Sequence, residues 1–178
     1  MISIEAHARR DALGLAERAL HLEWPIALLA LVIATCTFAA EPFPYDEAAD
    51  AKADVAAGRQ SARDSQRLLL LSFGANWCPD CRRLALAMAN EPIASSVARD
   101  FVVVKVDVGN WDKNLDLVDA YGNPIAKGIP SVVVVDPATN KGLYATRAGE
   151  LATARNMSDA ALNDFFRALA GTHGPKSP

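Results

Sequence analysis

Residues 73–81 read FGANWCPDC. They begin at the last residue of an almost wholly apolar segment, residues 68–73. The length of that segment and the glycine after it predict a buried strand. Residues 81–88 then have a helix-forming composition. The sequence therefore predicts that Cys78 and Cys81, three positions apart, lie between a strand and the beginning of a helix.

The spacing of the two cysteines suits redox chemistry, because cysteines three apart at a helix start can form a disulfide across one turn. Unpaired backbone N–H groups and the helix dipole favour an anion there, and such thiols have pKa values of roughly 3.5–7.5 instead of about 8.5. Pro79 fits the first helical turn, where its missing N–H costs little. We predict that Cys78 is the nucleophile and that Cys81 is the resolving thiol, which releases the mixed disulfide.

Two other roles for the cysteine pair stay open on the sequence. The pair could supply two ligands of a zinc site, but such a site needs four in total. Residues 41–178 hold no further cysteine and a single histidine, His173. A purely structural disulfide would close a loop too short to constrain the unfolded chain much. We therefore expect no metal site and no cofactor other than the redox-active disulfide of Cys78 and Cys81.

The composition is that of a folded protein with one domain of ordinary size. Of the 178 residues, 51% are hydrophobic, which is enough to bury a core and excludes wholesale disorder. The formal net charge is -3, and the sequence has no long run of like charges. Binding to nucleic acid is therefore not expected.

Residues 24–40 (WPIALLALVIATCTFAA) form a continuous apolar stretch without a charge. A bilayer core needs about 20 apolar residues, so this stretch is short for a membrane span and slightly long for a signal-peptide core. Arginines precede it and acidic residues follow it. The positive-inside rule then predicts that everything after residue 40 lies outside the cytoplasm.

Three interpretations of this stretch stay open. Residues 37–39 offer the small residues of an export-signal cleavage site. The long, weakly basic leader also fits an uncleaved membrane anchor, and Cys36 follows a sequence similar to a lipoprotein signal. All three predict a periplasmic or otherwise extracytoplasmic protein, either secreted or anchored by residues 24–40, in an oxidising compartment.

The rest of the chain predicts a β-α-β-α-β-β-α order. In the segment before the first strand we expect a helix over residues 46–57 that breaks at Gly58. Asn114 is expected to cap the second helix, and Gly171 to end the last one. The predicted strands are residues 68–73, 101–108, 131–135 and 143–148, and the predicted helices are residues 81–88, 115–121 and 158–171. We divide the chain into a signal peptide or anchor (1–40), a linker with a helical extension (41–67), the main domain (68–170) and a flexible tail (171–178).

Over roughly residues 68–170 the chain resembles the thioredoxin-like superfamily. Residues 73–81 look like its strand-to-active-site segment, and residues 104–107 (VKVD) look like its second strand. Residues 128–130 (GIP) look like the segment whose cis-proline faces the cysteine pair. Gly149 is where the family has a glycine beside the substrate groove.

The resemblance implies a thioredoxin-like α/β fold, with a central mixed β-sheet flanked by helices and preceded here by the hydrophobic signal or anchor. It also implies a cis bond between Ile129 and Pro130, in a turn that offers its backbone to an extended substrate strand. The groove residues that it implies are Trp77, Pro79, Asp80, Ile129, Pro130 and Gly149.

The chain also departs from the thioredoxin pattern. Ser72 stands where thioredoxins carry a buried aspartate, which removes the usual proton acceptor for the resolving thiol. Lys105 is retained at the family's lysine position, so Ser72 and Lys105 are candidates for tuning the site. The charge of Asp80 disfavours a neighbouring thiolate, and we expect a moderately reducing pair rather than a strong oxidant.

Taken together, the sequence predicts an exported thiol-disulfide oxidoreductase that acts on protein thiols and disulfides as a monomer. As a reductase in an oxidising compartment it would need electrons from a membrane donor. Two alternatives stay open: a thioredoxin-fold adaptor or chaperone with a structural disulfide, and a thiol peroxidase, for which we identify no activating residues. The physiological substrate and the direction of electron flow do not follow from the sequence.

Overall fold

Strand β1, Leu68–Gly74, is buried along its whole length and is an inner strand of the sheet. Burial on both faces explains why its sequence is a continuous apolar segment and not an alternating one. The computed structural model describes residues 43–174. In it the predicted strand at the cysteine pair is confirmed, one residue longer than expected.

The sheet has four strands and is mixed, as the resemblance implies. Strand β2 (Phe101–Asp107) pairs with β1 in parallel. Strand β3 (Ser131–Asp136) pairs with the other edge of β1 in antiparallel orientation, and β4 (Lys141–Ala145) pairs with β3 in the same way. The spatial order is β2-β1-β3-β4. The predicted thioredoxin-like α/β fold is thereby confirmed.

Helices cover both faces of the sheet, since successive residues of a strand point to opposite sides. Leu69 and Leu71 belong to one apolar cluster, while Leu68 and Leu70 belong to a second cluster on the other face. The first cluster includes residues of α1 (Ala51–Asp64) and α4 (Leu115–Ala120), and the second includes residues of α2 (Pro79–Ala89), α3 (Ile93–Asp100) and α5 (Asp159–His173).

The predicted break at Gly58 is wrong, because α1 runs through this residue without interruption. A side chain at Gly58 would collide with Cγ2 of Val104 and lie 3.3 Å from Cδ1 of Leu69. The glycine therefore lets the helix approach the sheet closely. The buried stripe of α1 is made of mostly small residues, namely Ala51, Val55, Gly58 and Ala62, and small residues gave no visible apolar periodicity.

Three further helix predictions need correction. Helix α3 was not predicted; it has eight residues and buries only Ile93 and Val97, too few to set up a periodic pattern. Helix α5 does not end at Gly171 but continues to His173, with Gly174 as its C-cap residue. Asn114 precedes α4 with φ 53°, but its side chain does not cap the helix and donates to the Asp107 carbonyl oxygen at 2.8 Å.

The predicted signal peptide or anchor, including residues 24–40 and Cys36, lies outside the described residues, as do residues 175–178 of the predicted tail. Among residues 43–174, none of the helices has the length and apolar character needed to span a bilayer.

Candidate active site

Cys78 is the N-cap residue of α2, so the predicted position of the cysteine pair at a helix start is confirmed. Its sulfur accepts a hydrogen bond from the backbone N–H of Cys81 at 3.2 Å. Its thiol lies 3.6 Å from the Ile129 carbonyl oxygen, to which it donates. A thiolate at Cys78 would keep the first of these contacts, and the helix dipole would stabilise its charge.

Cys81 lies deeper than Cys78, with an exposed fraction of 0% against 4%. Burial raises the pKa of the Cys81 thiol well above its ordinary value, and the hydrogen bond with Cys78 adds to this effect. Both residues are free thiols in the structure. Cys78 is therefore the less deeply buried of the two residues, which suits the predicted division of roles.

The loop before β3 faces the cysteine pair, as the resemblance implies. The Ile129–Pro130 bond is cis, both residues are buried, and the Ile129 carbonyl is the one that contacts Cys78. Gly149 has φ +80°, and a Cβ on it would lie 3.2 Å from the Lys127 carbonyl oxygen. Gly149 therefore packs against the backbone of this loop, where a larger residue would be strained.

Two tryptophans lie close together, and one of them directly precedes Cys78 in the chain. Trp77 is 50% exposed and its indole N–H donates to the Gly109 carbonyl oxygen at 2.8 Å. Trp111 is 44% exposed, and its ring centroid is 6.2 Å from that of Trp77. A groove of about 680 Å³ continues from Trp111 past Leu115 to Gly128. Trp111 was not predicted as a site residue, and its only signal is an aromatic residue in the loop directly after β2.

The two central residues of the cysteine motif differ in their surroundings. Pro79 is exposed, whereas Asp80 is 6% exposed. The Asp80 carboxylate accepts a hydrogen bond from the Arg155 backbone N–H at 2.9 Å and lies 3.6 Å from Nε of the same residue. Asp80 thus ties α2 to the short 3-10 helix Ala154–Asn156, and its charge also contributes to the raised pKa of Cys81.

Ser72 is fully buried and contacts a residue that was not predicted to belong to the site. Its hydroxyl lies 3.3 Å from the hydroxyl of Tyr45, which is itself buried. Tyr45 precedes α1 and is held by Asn76 through two hydrogen bonds, of 3.0 Å to its backbone N–H and 2.8 Å to its carbonyl oxygen. The only sequence signal was an aromatic residue in a segment otherwise rich in alanine and charge.

Lys105 pairs with Ser72 in the register of β1 and β2. Its side chain reaches solvent, although partial burial of the ammonium lowers its pKa. Among the described residues it forms no ion pair or side-chain hydrogen bond, so the structure does not connect it to the cysteines. Nor do residues 43–174 contain a group of three or more His, Cys, Asp or Glu side chains suited to a metal ion.

The crystal structure of a disulphide isomerase from Xylella fastidiosa Temecula1 is similar to this chain, with 47% sequence identity and a TM-score of 0.71. The similarity covers 74% of this chain and 99% of the isomerase. A family model described as thioredoxin-like matches residues 50–137. This chain belongs to the thioredoxin-like family.

Two thioredoxin structures are more distant from this thioredoxin-like chain. A mutant thioredoxin of Halobacterium salinarum NRC-1 is 22% identical, with a TM-score of 0.41, over 66% of this chain and 84% of its own. The germline-specific thioredoxin Deadhead of Drosophila melanogaster is 20% identical, with a TM-score of 0.41, over 63% and 88%. No curated protein matches the sequence.

Proposed function

We propose that this thioredoxin-like protein is a thiol-disulfide oxidoreductase that exchanges or reduces disulfides of partner proteins. The observation that carries the proposal is the contact between the Cys78 sulfur and the N–H of Cys81 at the start of α2, with the second thiol buried behind it. The 47% identity to a structure described as a disulphide isomerase supports the same chemistry.

The reaction has two steps. The Cys78 thiolate attacks one sulfur of a partner disulfide, whose S–S bond breaks, and the released partner thiolate takes a proton from solvent. Cys81 then loses its proton and attacks the Cys78 sulfur, which forms the Cys78–Cys81 disulfide and releases the second partner thiolate. The partner gains two electrons and the cysteine pair loses them, so each cycle requires a reductant that restores the dithiol.

The surface around Cys78 supports a protein partner. Trp77, directly before Cys78, and Trp111, whose ring lies near that of Trp77, are both exposed, and exposed aromatic residues often anchor protein interfaces. In this proposal the Cys78 sulfur is surrounded by the groove residues that the family implies, namely Trp77, Pro79, Ile129, Pro130 and Gly149. The Asp80 carboxylate, held by Arg155, acts through its charge instead.

We further propose that the protein works outside the cytoplasm, as a periplasmic or membrane-anchored monomer. Support comes from the apolar residues 24–40 and the arginines before them. In an oxidising compartment the reductant would be a membrane electron donor. A reporter enzyme that is active only outside the cytoplasm, fused after residue 178, is expected to be active. An inactive fusion would contradict this part of the proposal.

Substitution of the resolving thiol tests the reaction. In the full chain carrying Cys36→Ser, the Cys81→Ser variant is expected to accumulate mixed disulfides with partner proteins, because nothing releases them from Cys78. The adducts would be separated on non-reducing gels and identified by mass spectrometry.

The matched control is the Cys78→Ser, Cys81→Ser variant in the same background, which should trap no partner. Recovery of no adduct by the Cys81→Ser variant, with Cys78 still reactive toward iodoacetamide, would contradict the proposal. Cellular activity that survives in the double variant would favour an adaptor or chaperone with a structural disulfide.

A further inference from the structure

The buried hydroxyl of Tyr45 has no role in the reaction as described so far. Its side chain is 2% exposed, and its hydroxyl lies 3.3 Å from the Ser72 hydroxyl. Either group can be the donor in this pair. When Ser72 donates, the proton of Tyr45 is free to point at another acceptor.

The candidate for that acceptor is the sulfur of Cys81. Gly74 lies between the two groups, and a Cβ on Gly74 would lie within 3.0 Å of both the Tyr45 hydroxyl and the Cys81 sulfur. The absence of a side chain at Gly74 therefore brings the hydroxyl next to the resolving thiol. In this structure the Tyr45 hydroxyl is hydrogen-bonded to Ser72, and hydrogen bonds that serve a reaction are often long or poorly aligned in a resting enzyme and tighten as the reaction proceeds.

The backbone of Tyr45 is fixed against the segment that carries the cysteines. Asn76 accepts from the Tyr45 N–H and donates to the Tyr45 carbonyl oxygen, and it also donates to Glu47 at 2.9 Å. Lys113 donates to the Glu47 carbonyl oxygen at 3.0 Å. These contacts hold the residues before α1 in place. The position of the Tyr45 hydroxyl is therefore fixed by the backbone contacts of this segment as well as by the packing of the tyrosine ring.

The groups that face Tyr45 come from three elements. They are Cys78 and Cys81 of α2, Ser72 of β1 and the buried Asp107 at the end of β2. Burial chiefly, with the charges of Cys81, Cys78 and Asp107, raises the pKa of Tyr45 well above its ordinary value. The hydroxyl therefore stays protonated at neutral pH and acts as a donor.

We propose that Tyr45, oriented by Ser72, is a positioning residue that donates a hydrogen bond to the Cys81 sulfur as this thiol ionises to attack the mixed disulfide. The inference rests on the proposed oxidoreductase function. Cys81 loses a proton to solvent, its electron pair forms the new S–S bond, and the bond between Cys78 and the partner breaks with release of the partner thiolate. A neutral hydroxyl pair thus stands where a carboxylate would accept the proton.

Ellman's reagent separates the two steps in the reduced full chain carrying Cys36→Ser. Attack by Cys78 releases one thionitrobenzoate in a phase that depends on reagent concentration, and attack by Cys81 releases a second in a phase that does not. In Tyr45→Phe we expect the second phase to slow by about tenfold to a hundredfold, since a hydrogen bond to a charged group is lost. The midpoint of its pH profile should rise, while the first phase changes less than about twofold.

Tyr121→Phe is the matched control, because it removes a hydroxyl that bonds Asn140 away from the cysteines, and both phases should be unchanged. Ser72→Ala keeps the Tyr45 hydroxyl and should slow the second phase by a smaller factor. An unaltered second phase and pH midpoint in Tyr45→Phe would overturn the inference. A Cys78 that reacts no faster than a free thiol would instead overturn the proposed function.

Discussion

Asp80 brings a negative charge into the first turn of α2, between the two cysteines. Its carboxylate is held by Arg155 and adds to the raised pKa of Cys81. The same charge opposes the negative charge of a Cys78 thiolate, and a less stable thiolate makes the reduced form less stable, so Asp80 lowers the reduction potential of the pair. The charge therefore favours a reducing cysteine pair, and its removal at Asp80 should raise the reduction potential.

We expect Asp80→Asn to raise the reduction potential by about 10–30 mV, since one pKa unit corresponds to about 1.4 kcal/mol and about 30 mV for two electrons. The amide oxygen can still accept from Arg155, which limits structural change. Titration against glutathione would measure both potentials, with the wild type expected well below about -120 mV.

Asp159→Asn is the control for this change, because Asp159 also lies in the first turn of a helix but pairs with Arg83 instead of the cysteine motif. Its potential should equal that of the wild type. A wild-type potential near -120 mV, or no change in Asp80→Asn, would refute the role assigned to the charge.

The residues of the site could be predicted unequally well. Cys78 and Cys81 follow from their spacing, and the cis bond before Pro130 follows from the resemblance to the thioredoxin-like family; the structure has the pair at a helix start and this bond in the cis form. Tyr45 could not be predicted, because its role depends on a contact across the fold with Ser72. Trp111 also lacked a motif, since a single aromatic residue in a loop carries little information.

Helices α1 and α5 each contain a glycine, and the two glycines have different surroundings. Gly58 faces the sheet, where it permits close approach to Val104, whereas a Cβ added at Gly171 would meet nothing within 4 Å. The effect of an added methyl group on the free energy of unfolding is therefore determined by packing in α1 and by conformational entropy in α5.

Gly58→Ala is expected to destabilise the protein by about 1–3 kcal/mol, because the added methyl group overpacks the interface with Val104 despite a better helix propensity. Gly171→Ala is expected to stabilise it by about 0.4–1 kcal/mol. Urea unfolding of the two variants would measure both changes. A Gly58→Ala variant at least as stable as Gly171→Ala would contradict the packing argument.

At the level of elements, strong patterns were predicted and weak ones were not. Strands β1, β2 and β3 were predicted within two residues of their ends, because buried apolar segments are distinctive. Helix α3 and the full length of α1 were missed, since their buried faces are short or made of small residues. Tertiary contact, rather than local propensity, determines these two helices.

For the whole molecule, the buried Cys81 thiol makes stability depend on pH in the reduced state. Its pKa is raised mainly by burial, so the folded protein keeps this proton while the unfolded chain loses it above the ordinary value of 9.0. Between these two values the unfolded state binds fewer protons, and the free energy of unfolding falls as pH rises. The contribution is complete below about pH 9 and is lost above it.

We therefore expect the reduced wild type to lose about 1.4 kcal/mol from about pH 8 to about pH 10 relative to Cys81→Ser, whose hydroxyl does not titrate in that range. Urea unfolding with excess reductant would give both curves. Tyrosines and lysines titrate alike in the two proteins and cancel in the difference. Parallel curves would show that Cys81 ionises as easily in the folded protein as in the unfolded chain.

The attachment of Tyr45 to Asn76 has a practical consequence for anyone who prepares this protein in truncated form. The match to the family begins at residue 50, after Tyr45, so a recombinant product trimmed to that boundary would lack the tyrosine. A vacant hollow would then open beside Gly74, and water could enter it beside the sulfur of Cys81. Such a product could fold and still report the redox behaviour of a hydrated, altered catalyst.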